Sequence, residues 1–371
     1  MESKGMNGQS PKPKVVFVLG ATATGKSKLA IALAQQFDGE VINSDKIQMY
    51  DGVPVITNKV TEEECAGVPH HLLGGVHPDA DFTAEDFCRE ASAAIARILA
   101  AGRLPVVAGG SNTYIEALVE GDNAAFRAAY DCLFIWLDAT PELLEWYTAL
   151  RVDDMVQRGL AHEARAVFDA GNADYSRGVR RAIGLPEMHD YLLLLEQTER
   201  EGAVAEAVDL AERFDHAVRQ IKANTFGLVL AQQAKIQRLS GMEGWDVRRV
   251  DATIVFACMA AGLGQEAWET VVWEPCQEMV KRFLETQTFI PDAADKLPTD
   301  LELDEEMAKV FRGFTISPDA ASGAVLALPA VHKDKEAAKG AAPGEGDGDG
   351  GNAGVGEAGP DAAGGEGSHA V

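Results

Sequence analysis

Gly20-Ala21-Thr22-Ala23-Thr24-Gly25-Lys26-Ser27 follows a short apolar run, Lys14 to Leu19, and precedes Lys28 to Gln36, in which Leu29, Ile31, Ala32 and Leu33 recur at helical spacing. The octapeptide fits G-x-x-x-x-G-K-[ST], and its setting of strand, loop and helix is the one in which that pattern has a mechanism. Glycines let backbone amides turn inward around phosphate oxygens. The helix amino end adds a partial positive charge, Lys26 adds a full one, and the Ser27 hydroxyl can reach Mg²⁺. The stretch therefore predicts a P-loop.

Working outward, Val41 and Ile42 end abruptly in Asn43, Ser44 and Asp45. That pattern suits a short buried strand with functional side chains at its carboxyl end. Ala84 to Ala101 reads as a helix, Leu104 to Ala108 as a strand closed by Gly109 and Gly110, and Cys132 to Leu137 as a buried strand ending in Asp138. The alternation predicts an α/β fold, a P-loop NTPase-like parallel sheet flanked by helices, with its core over 15–140 behind a flexible 1–14. Helical patterning from Pro141 to about Ser240, including Arg151 to Ala170 and Val204 to Leu239, predicts an inserted helical subdomain over 141–240. Residues 241–330 are expected to return to the core and add helices, with Val247 to Phe256 strand-like. Residues 331–371 form an acidic Gly/Ala-rich tail with too little apolar surface to offset its ordering entropy, so disorder is expected there.

The 371 residues are 46% hydrophobic and 25% charged, enough for a sizeable core. Val15 to Leu19 and Leu133 to Leu137, the longest apolar runs, fall far short of the roughly 20 residues that cross a bilayer. Only the polar stretch Met1 to Lys14 precedes the first strand, so the cytoplasm is the expected compartment, with plastid import left open. The five cysteines stand singly, which suggests reduced packing residues. A net charge of −25 repels a polyanion such as tRNA, whereas a small anion held in one cleft by a few cations and helix amides is compatible with it.

Three features leave alternatives open. Asp45 either accepts a proton from a bound amine or hydroxyl, or caps the following segment, or orders Mg²⁺ through water. Asp138 imitates a Walker B acid and would suit a kinase. Arg177, Arg180 and Arg181, taken alone, read as a solvated helix face. His70 and His71 cannot point the same way on a regular element, so they read as packing and hydrogen bonding within a loop rather than as a metal site.

Together these segments resemble the isopentenyltransferases, over about Val15 to Leu284. The likeness is carried by Gly20 to Ser27, Ile42 to Tyr50, Thr57 to Gly74, Ala108 to Glu116, Ala173 to Met188 and Ile221 to Leu239. Asn58 to Glu63, Gly109 to Ile115 and Asp174 to Ile183 are similar to the plant adenylate (ATP/ADP) isopentenyltransferases of cytokinin biosynthesis more than to tRNA dimethylallyltransferases. The resemblance implies that Gly20, Ala21, Thr22, Ala23, Thr24, Gly25, Lys26 and Ser27 hold the diphosphate of dimethylallyl diphosphate. It implies Mg²⁺ as cofactor with Ser27 as its ligand, and N6 of AMP, ADP or ATP as acceptor. Asp45 matches the general base, with Lys26 and Thr22 also in the catalytic set. Ser111 and Asn112 are expected near the acceptor nucleotide, and Arg177, Arg180 and Arg181 are expected to close over phosphates from the helical side.

A cation-like allylic carbon would be captured by water, so a dry channel between sheet and helices is expected. Asp51 departs from the family, which usually has a basic residue there. A tRNA dimethylallyltransferase and a P-loop small-molecule kinase are the alternatives. The sequence sets no oligomeric state.

Overall fold

Strand β1 (Lys14–Gly20) is buried along nearly its whole length, because each of its side chains meets a covering layer on one face or the other. In this computed structural model, which describes residues 11–201, 207–259 and 261–286, β1 sits inside a six-stranded sheet. The order is β3-β2-β4-β1-β5-β6, all pairs parallel, with β2 (Gly39–Asn43), β3 (His70–His71), β4 (Leu104–Ala108), β5 (Asp131–Asp138) and β6 (Val247–Asp251). Parallel pairing needs crossovers, and these are α1 (Lys26–Gln36), α2 (Glu62–Cys65), α3 (Ala84–Ala100) and α4 (Asn112–Ala129). Between β5 and β6 lie α5 (Pro141–Gln157), α6 (Leu160–Ala166), a 3-10 turn at Gly178–Arg181, α7 (His189–Glu201) and α8 (Ala207–Ser240). After β6 come α9 (Thr253–Met259), α10 (Gly264–Trp268), a π-helical turn and α11 (Glu274–Glu285).

The period of two along β1 divides the core. Val16 and Val18 face a layer built from α1 and α9 to α11, with Leu29, Leu33, Phe256 and Phe283 buried there. Val15, Phe17 and Leu19 face α3, α4 and the end of α8, through Phe87, Ile95, Ile115, Ile236 and Leu239. A third cluster joins Tyr50, Val53 and Ile56, from the segment after β2, to Val152, Leu160, Leu192 and Ile221 of α5 to α8. The 34 residues of α8 span about 50 Å at 1.5 Å per residue. One helix therefore reaches from the third cluster past the carboxyl ends of the strands to the second.

Three sequence expectations are corrected. The run from Val247 to Phe256 is a strand only as far as Asp251; the Asp251 carboxylate accepts from the Thr253 amide at 3.0 Å, and a helix begins there. His70 and His71 form an edge strand rather than a loop, paired with Val41 and Ile42. Their side chains bond separately, His71 to Glu40 and His70 to the Val68 carbonyl. The helical stretch Arg151 to Ala170 breaks at Gly159, whose φ of 102° favours glycine.

The chain divides into two units, Met1–Pro329 and Ala330–Val371. The second lies outside the described residues, as do the acidic tail expected at 331–371, residues 287–330 of the expected carboxyl-terminal helices, and most of the expected flexible 1–14. None of the five cysteines forms a disulfide. Among the described residues no helix is long and apolar enough to cross a membrane.

Phe17 is fully buried, stacked on Phe134 at 4.9 Å between ring centres and edge-on to Phe126 at 6.0 Å. Phe17→Ala should cost about 3–5 kcal/mol, read as a lower denaturant midpoint at unchanged slope. A loss under about 1 kcal/mol would contradict this account of the core.

Candidate active site

The P-loop is shaped by close approach. A Cβ on Gly20 would lie 2.6 Å from the Leu137 carbonyl oxygen and from Thr24 Oγ1, so only glycine fits between β1 and β5. Gly25 has φ 91°, and Ala23, with φ 71°, holds a left-handed conformation that alanine adopts at a cost of about 1–2 kcal/mol. Thr24 Oγ1 donates to the Ala21 carbonyl at 2.9 Å, and the Lys26 ammonium donates to the same oxygen. The first turn of α1 carries no acidic side chain and no side-chain cap, so its positive end is uncompensated. Ser27 is exposed at that end. It shares a small cleft with Asn43, Gln48, Val60, Leu73 and Ala108.

Across from the loop, the turn after β2 is fixed by a ladder of polar contacts. Asn43 donates to the Leu72 carbonyl at 2.9 Å and accepts from the Asp45 amide at 3.2 Å. The Ser44 amide donates to the Ala108 carbonyl, the Ser111 amide to the Ser44 carbonyl, and the Lys46 amide to Ser111 Oγ at 2.9 Å. Asp45 then uses Oδ1 to accept from the Ile47 amide at 3.0 Å. Its Oδ2 sits only 3.0 Å from where a Cβ on Gly110 would be, and it has no hydrogen-bond partner among the described residues. A Cβ on Gly109 would lie 2.5 Å from the Asp45 amide nitrogen. Both glycines are thus needed for this turn to approach the end of β4. Asp45 caps its own turn with one oxygen and keeps the other available.

Lys26 is 8% exposed, and burial lowers its pKa from 10.5 to about 8, against the pull of the Asp45 carboxylate and with the push of Arg151. The carboxylate and the ammonium therefore lie in each other's field. Arg151, on α5, is the second cation at the site, with Nη1 3.4 Å from Thr22 Oγ1. Sequence reasoning missed Arg151 and also Gln232, since both sit on amphipathic helices with no motif around them. Gln232 is buried; its Oε1 accepts from the Thr22 amide at 2.7 Å and its Nε2 donates to the Gly110 carbonyl at 2.9 Å.

The remaining expected residues divide. Asn112 is buried at the start of α4, its amide bonded to the Gly110 carbonyl. Arg181 donates to the Tyr50 hydroxyl at 3.0 Å and so reaches the segment that follows Asp45. Arg180 is held by the carbonyls of Asp174, Val167 and Asn172 and stacks over Tyr175, which makes it the organiser of its own loop. Arg177 is exposed. Asp138 is bound by Arg249 Nε at 2.8 Å and Gln233 Nε2 at 2.7 Å, so it faces β6 and α8. Asp51 accepts from the Gly75 amide at 2.7 Å.

No group of three or more His, Cys, Asp or Glu side chains among the described residues could cage a metal ion. A cation beside this loop would take most of its ligands from a bound phosphate and water, which is the habit of Mg²⁺. The Ser27 hydroxyl, exposed at the start of α1, is the protein oxygen that fits such a site.

A buried ammonium strains the fold. Because the pKa of Lys26 is lower folded than unfolded, the cost is fully present below about pH 8 and fades as pH rises towards 10.5. Lys26→Met, which leaves Thr24 on the Ala21 carbonyl, should raise stability by about 2–3 kcal/mol at pH 7 and by almost nothing near pH 10.5. Equal gains at both values would contradict the burial argument.

Comparison with known proteins places this geometry. Residues 48–128 and 122–234 match the family model described as IPP transferase. The chain is 48% identical over 274 residues to adenylate isopentenyltransferase 5, chloroplastic, of Arabidopsis thaliana, covering 74% of this chain and 81% of that protein. It is 43% identical over 280 residues to adenylate isopentenyltransferase 3, chloroplastic, of the same plant, with 75% and 81% covered. With adenylate isopentenyltransferase of Humulus lupulus the figures are 40% over 296 residues, 72% and 89%. Among solved structures, a eukaryotic dimethylallyltransferase acting on tRNA shares the fold at TM-score 0.59 and 23% identity, covering 76% of this chain and 81% of that one. The tRNA isopentenylpyrophosphate transferase of Bacillus halodurans does so at 0.55 and 25%, covering 74% and 99%. With the P-loop, the Asp45 turn and the six-stranded parallel sheet in the arrangement described, the chain belongs to the IPP transferase family of prenyltransferases.

Proposed function

We propose that the protein transfers the dimethylallyl group of dimethylallyl diphosphate to N6 of an adenine nucleotide, AMP, ADP or ATP, the first step of cytokinin biosynthesis. The observation that carries the reading is the pairing of a phosphate loop with a carboxylate, Asp45, in the field of that loop's own lysine. Asp138, the Walker B-like acid a kinase would use, is instead bound to Arg249 and Gln233. The acidic surface of the chain and identities of 40–48% to adenylate isopentenyltransferases favour a free nucleotide over tRNA.

In this reading the amides of the P-loop and the Lys26 ammonium hold the diphosphate and stabilise the charge it gains as the allylic C–O bond breaks. Arg151, beside Thr22, adds a second cation at the same rim. Ser27 would hold Mg²⁺, which would neutralise part of the leaving group's charge. The exocyclic amine of adenine is a poor nucleophile until its new N–C bond forms, when it becomes strongly acidic. Asp45 Oδ2 then takes the proton while Oδ1 remains on the Ile47 amide and fixes the carboxylate's direction. Ser111 acts one step back, by holding the turn at Lys46, and Asn112 by anchoring α4 on Gly110. Arg181, tied to Tyr50, and the exposed Arg177 would be the cations that meet acceptor phosphates.

Incubation with dimethylallyl diphosphate, Mg²⁺ and each of AMP, ADP and ATP should give an N6-prenylated nucleotide. Folded protein that yields none with any acceptor, or that prefers anticodon-loop RNA, contradicts the proposal. Asp45→Asn should lower kcat by about 10² to 10⁴ with little change in donor binding.

The pH profile follows from Lys26. Below about pH 8 it is charged and binds the donor, and above that it loses its proton, so kcat/KM for the donor should be level up to about pH 8 and fall beyond it. A profile that stays flat through about pH 10 would remove Lys26 from the role of donor-binding cation.

A further inference from the structure

Gln232, on α8, is hydrogen-bonded to both halves of the site. Its two amide atoms have different partners: Oε1 takes the Thr22 N–H of the phosphate loop at 2.7 Å, and Nε2 gives a proton to the Gly110 carbonyl at 2.9 Å. Gly110 is in turn the residue over which Asp45 Oδ2 lies, since a Cβ there would stand 3.0 Å from that oxygen and 2.6 Å from Gln232 Nε2. A single buried amide thus spans the gap between the loop after β1 and the glycine turn after β4. Those two turns belong to neighbouring strands, yet past the strand ends no backbone hydrogen bond joins them among the described residues.

We infer that Gln232 is a positioning residue that sets the separation of the donor cradle from the general base. The argument is one of fit and of satisfaction. Gln232 is 8% exposed, so each of its bonds replaces water that cannot follow, and losing either leaves a polar group unpaired. An amide can accept on one side and donate on the other, as this position requires. A carboxylate could not donate to Gly110, and a lysine could not accept from Thr22. Arg151 reaches the hydroxyl of the same Thr22 from α5, so the helices that follow β5 grip the phosphate loop at one residue from two directions. The amides of Thr22 and Thr24 are already engaged, which leaves those of Ala23 and of Gly25 to Ser27 to meet phosphate.

The inference rests on the prenyl-transfer reading above and makes a prediction of its own. Transfer needs the amine to meet the allylic carbon as the C–O bond opens. If the turn carrying Asp45 drifts from the cradle, water adds to that carbon instead, giving dimethylallyl alcohol, diphosphate and a proton. A misplacement of about 1 Å costs on the order of 10²-fold in a reaction held by positioning.

The test measures both products, prenylated nucleotide and dimethylallyl alcohol, for the wild type, Gln232→Met and Gly110→Ala. Methionine keeps the length of the side chain and loses both hydrogen bonds, while the Gly110 methyl group presses on the same bridge from the other end. The wild type should give nucleotide product almost alone; its failure to do so would count against the prenyl-transfer reading itself. Gln232→Met should lower kcat for transfer about 10- to 100-fold with donor KM within about threefold, and raise the ratio of alcohol to nucleotide at least about tenfold. Gly110→Ala should shift the ratio the same way, and it decides the matter if Gln232→Met does not fold. Variants whose product ratio matches the wild type, with activity lost only in proportion to folded protein or in donor KM, would overturn the inference.

Discussion

The site depends on holding an ammonium out of water before its anion arrives. Lys26 sits 8% exposed on the first turn of α1, hydrogen-bonded into its own loop, with its pKa drawn down to about 8 by burial and partly sustained by Asp45. That placement costs stability, and the surrounding structure has to enforce it. It does so through glycine at positions 20, 109 and 110, where a single added carbon would collide with backbone, with Thr24, with the Asp45 turn or with Gln232. Close approach of three turns at the carboxyl ends of β1, β2 and β4 is therefore the condition from which the chemistry follows. A diphosphate entering this cleft meets a charge that water does not already screen, so the attraction is greater than at an open surface.

The same closeness orients the Asp45 carboxylate. Asp45 fixes its direction through the Ile47 amide, and its second oxygen lies over Gly110. Of the three roles that its position in the sequence left open, the structure shows the cap, made by one oxygen, while the second oxygen has no hydrogen-bond partner among the described residues. The helices after β5 add the remaining constraint. Arg151 and Gln232 come from α5 and α8, separated by 81 residues of sequence, and meet at Thr22.

How far this was legible in the sequence differs from residue to residue, for physical reasons. Gly20 to Ser27 could be read because loop, strand and helix each leave a local pattern, and β2, β4 and β5 because buried parallel strands are continuous apolar runs with polar ends. The residue types of the Asp45 turn could be read, though not the division of labour between its two oxygens. Gln232 and Arg151 left no signal, since a side chain pointing from an amphipathic helix into a site looks the same as one pointing into solvent until the helix is packed. Arg180 carries a strong local charge signal, and in the structure that charge is taken up by three carbonyls of its own loop. The strand reading of Val247 to Phe256 overran because β-branched and aromatic residues continue past Asp251, while the Asp251 carboxylate on the Thr253 amide ends the strand and starts a helix.

The most direct measurement of the central claim is a crystal structure of the protein with a non-reactive thio analogue of dimethylallyl diphosphate, Mg²⁺ and AMP. The account predicts the diphosphate in the loop from Gly20 to Ser27, with the Lys26 ammonium released from the Ala21 carbonyl onto it. It also predicts Asp45 Oδ2 within hydrogen-bond distance, about 3 Å, of adenine N6. An adenine bound with N6 directed away from Asp45, or a diphosphate held elsewhere than in the loop, would contradict it.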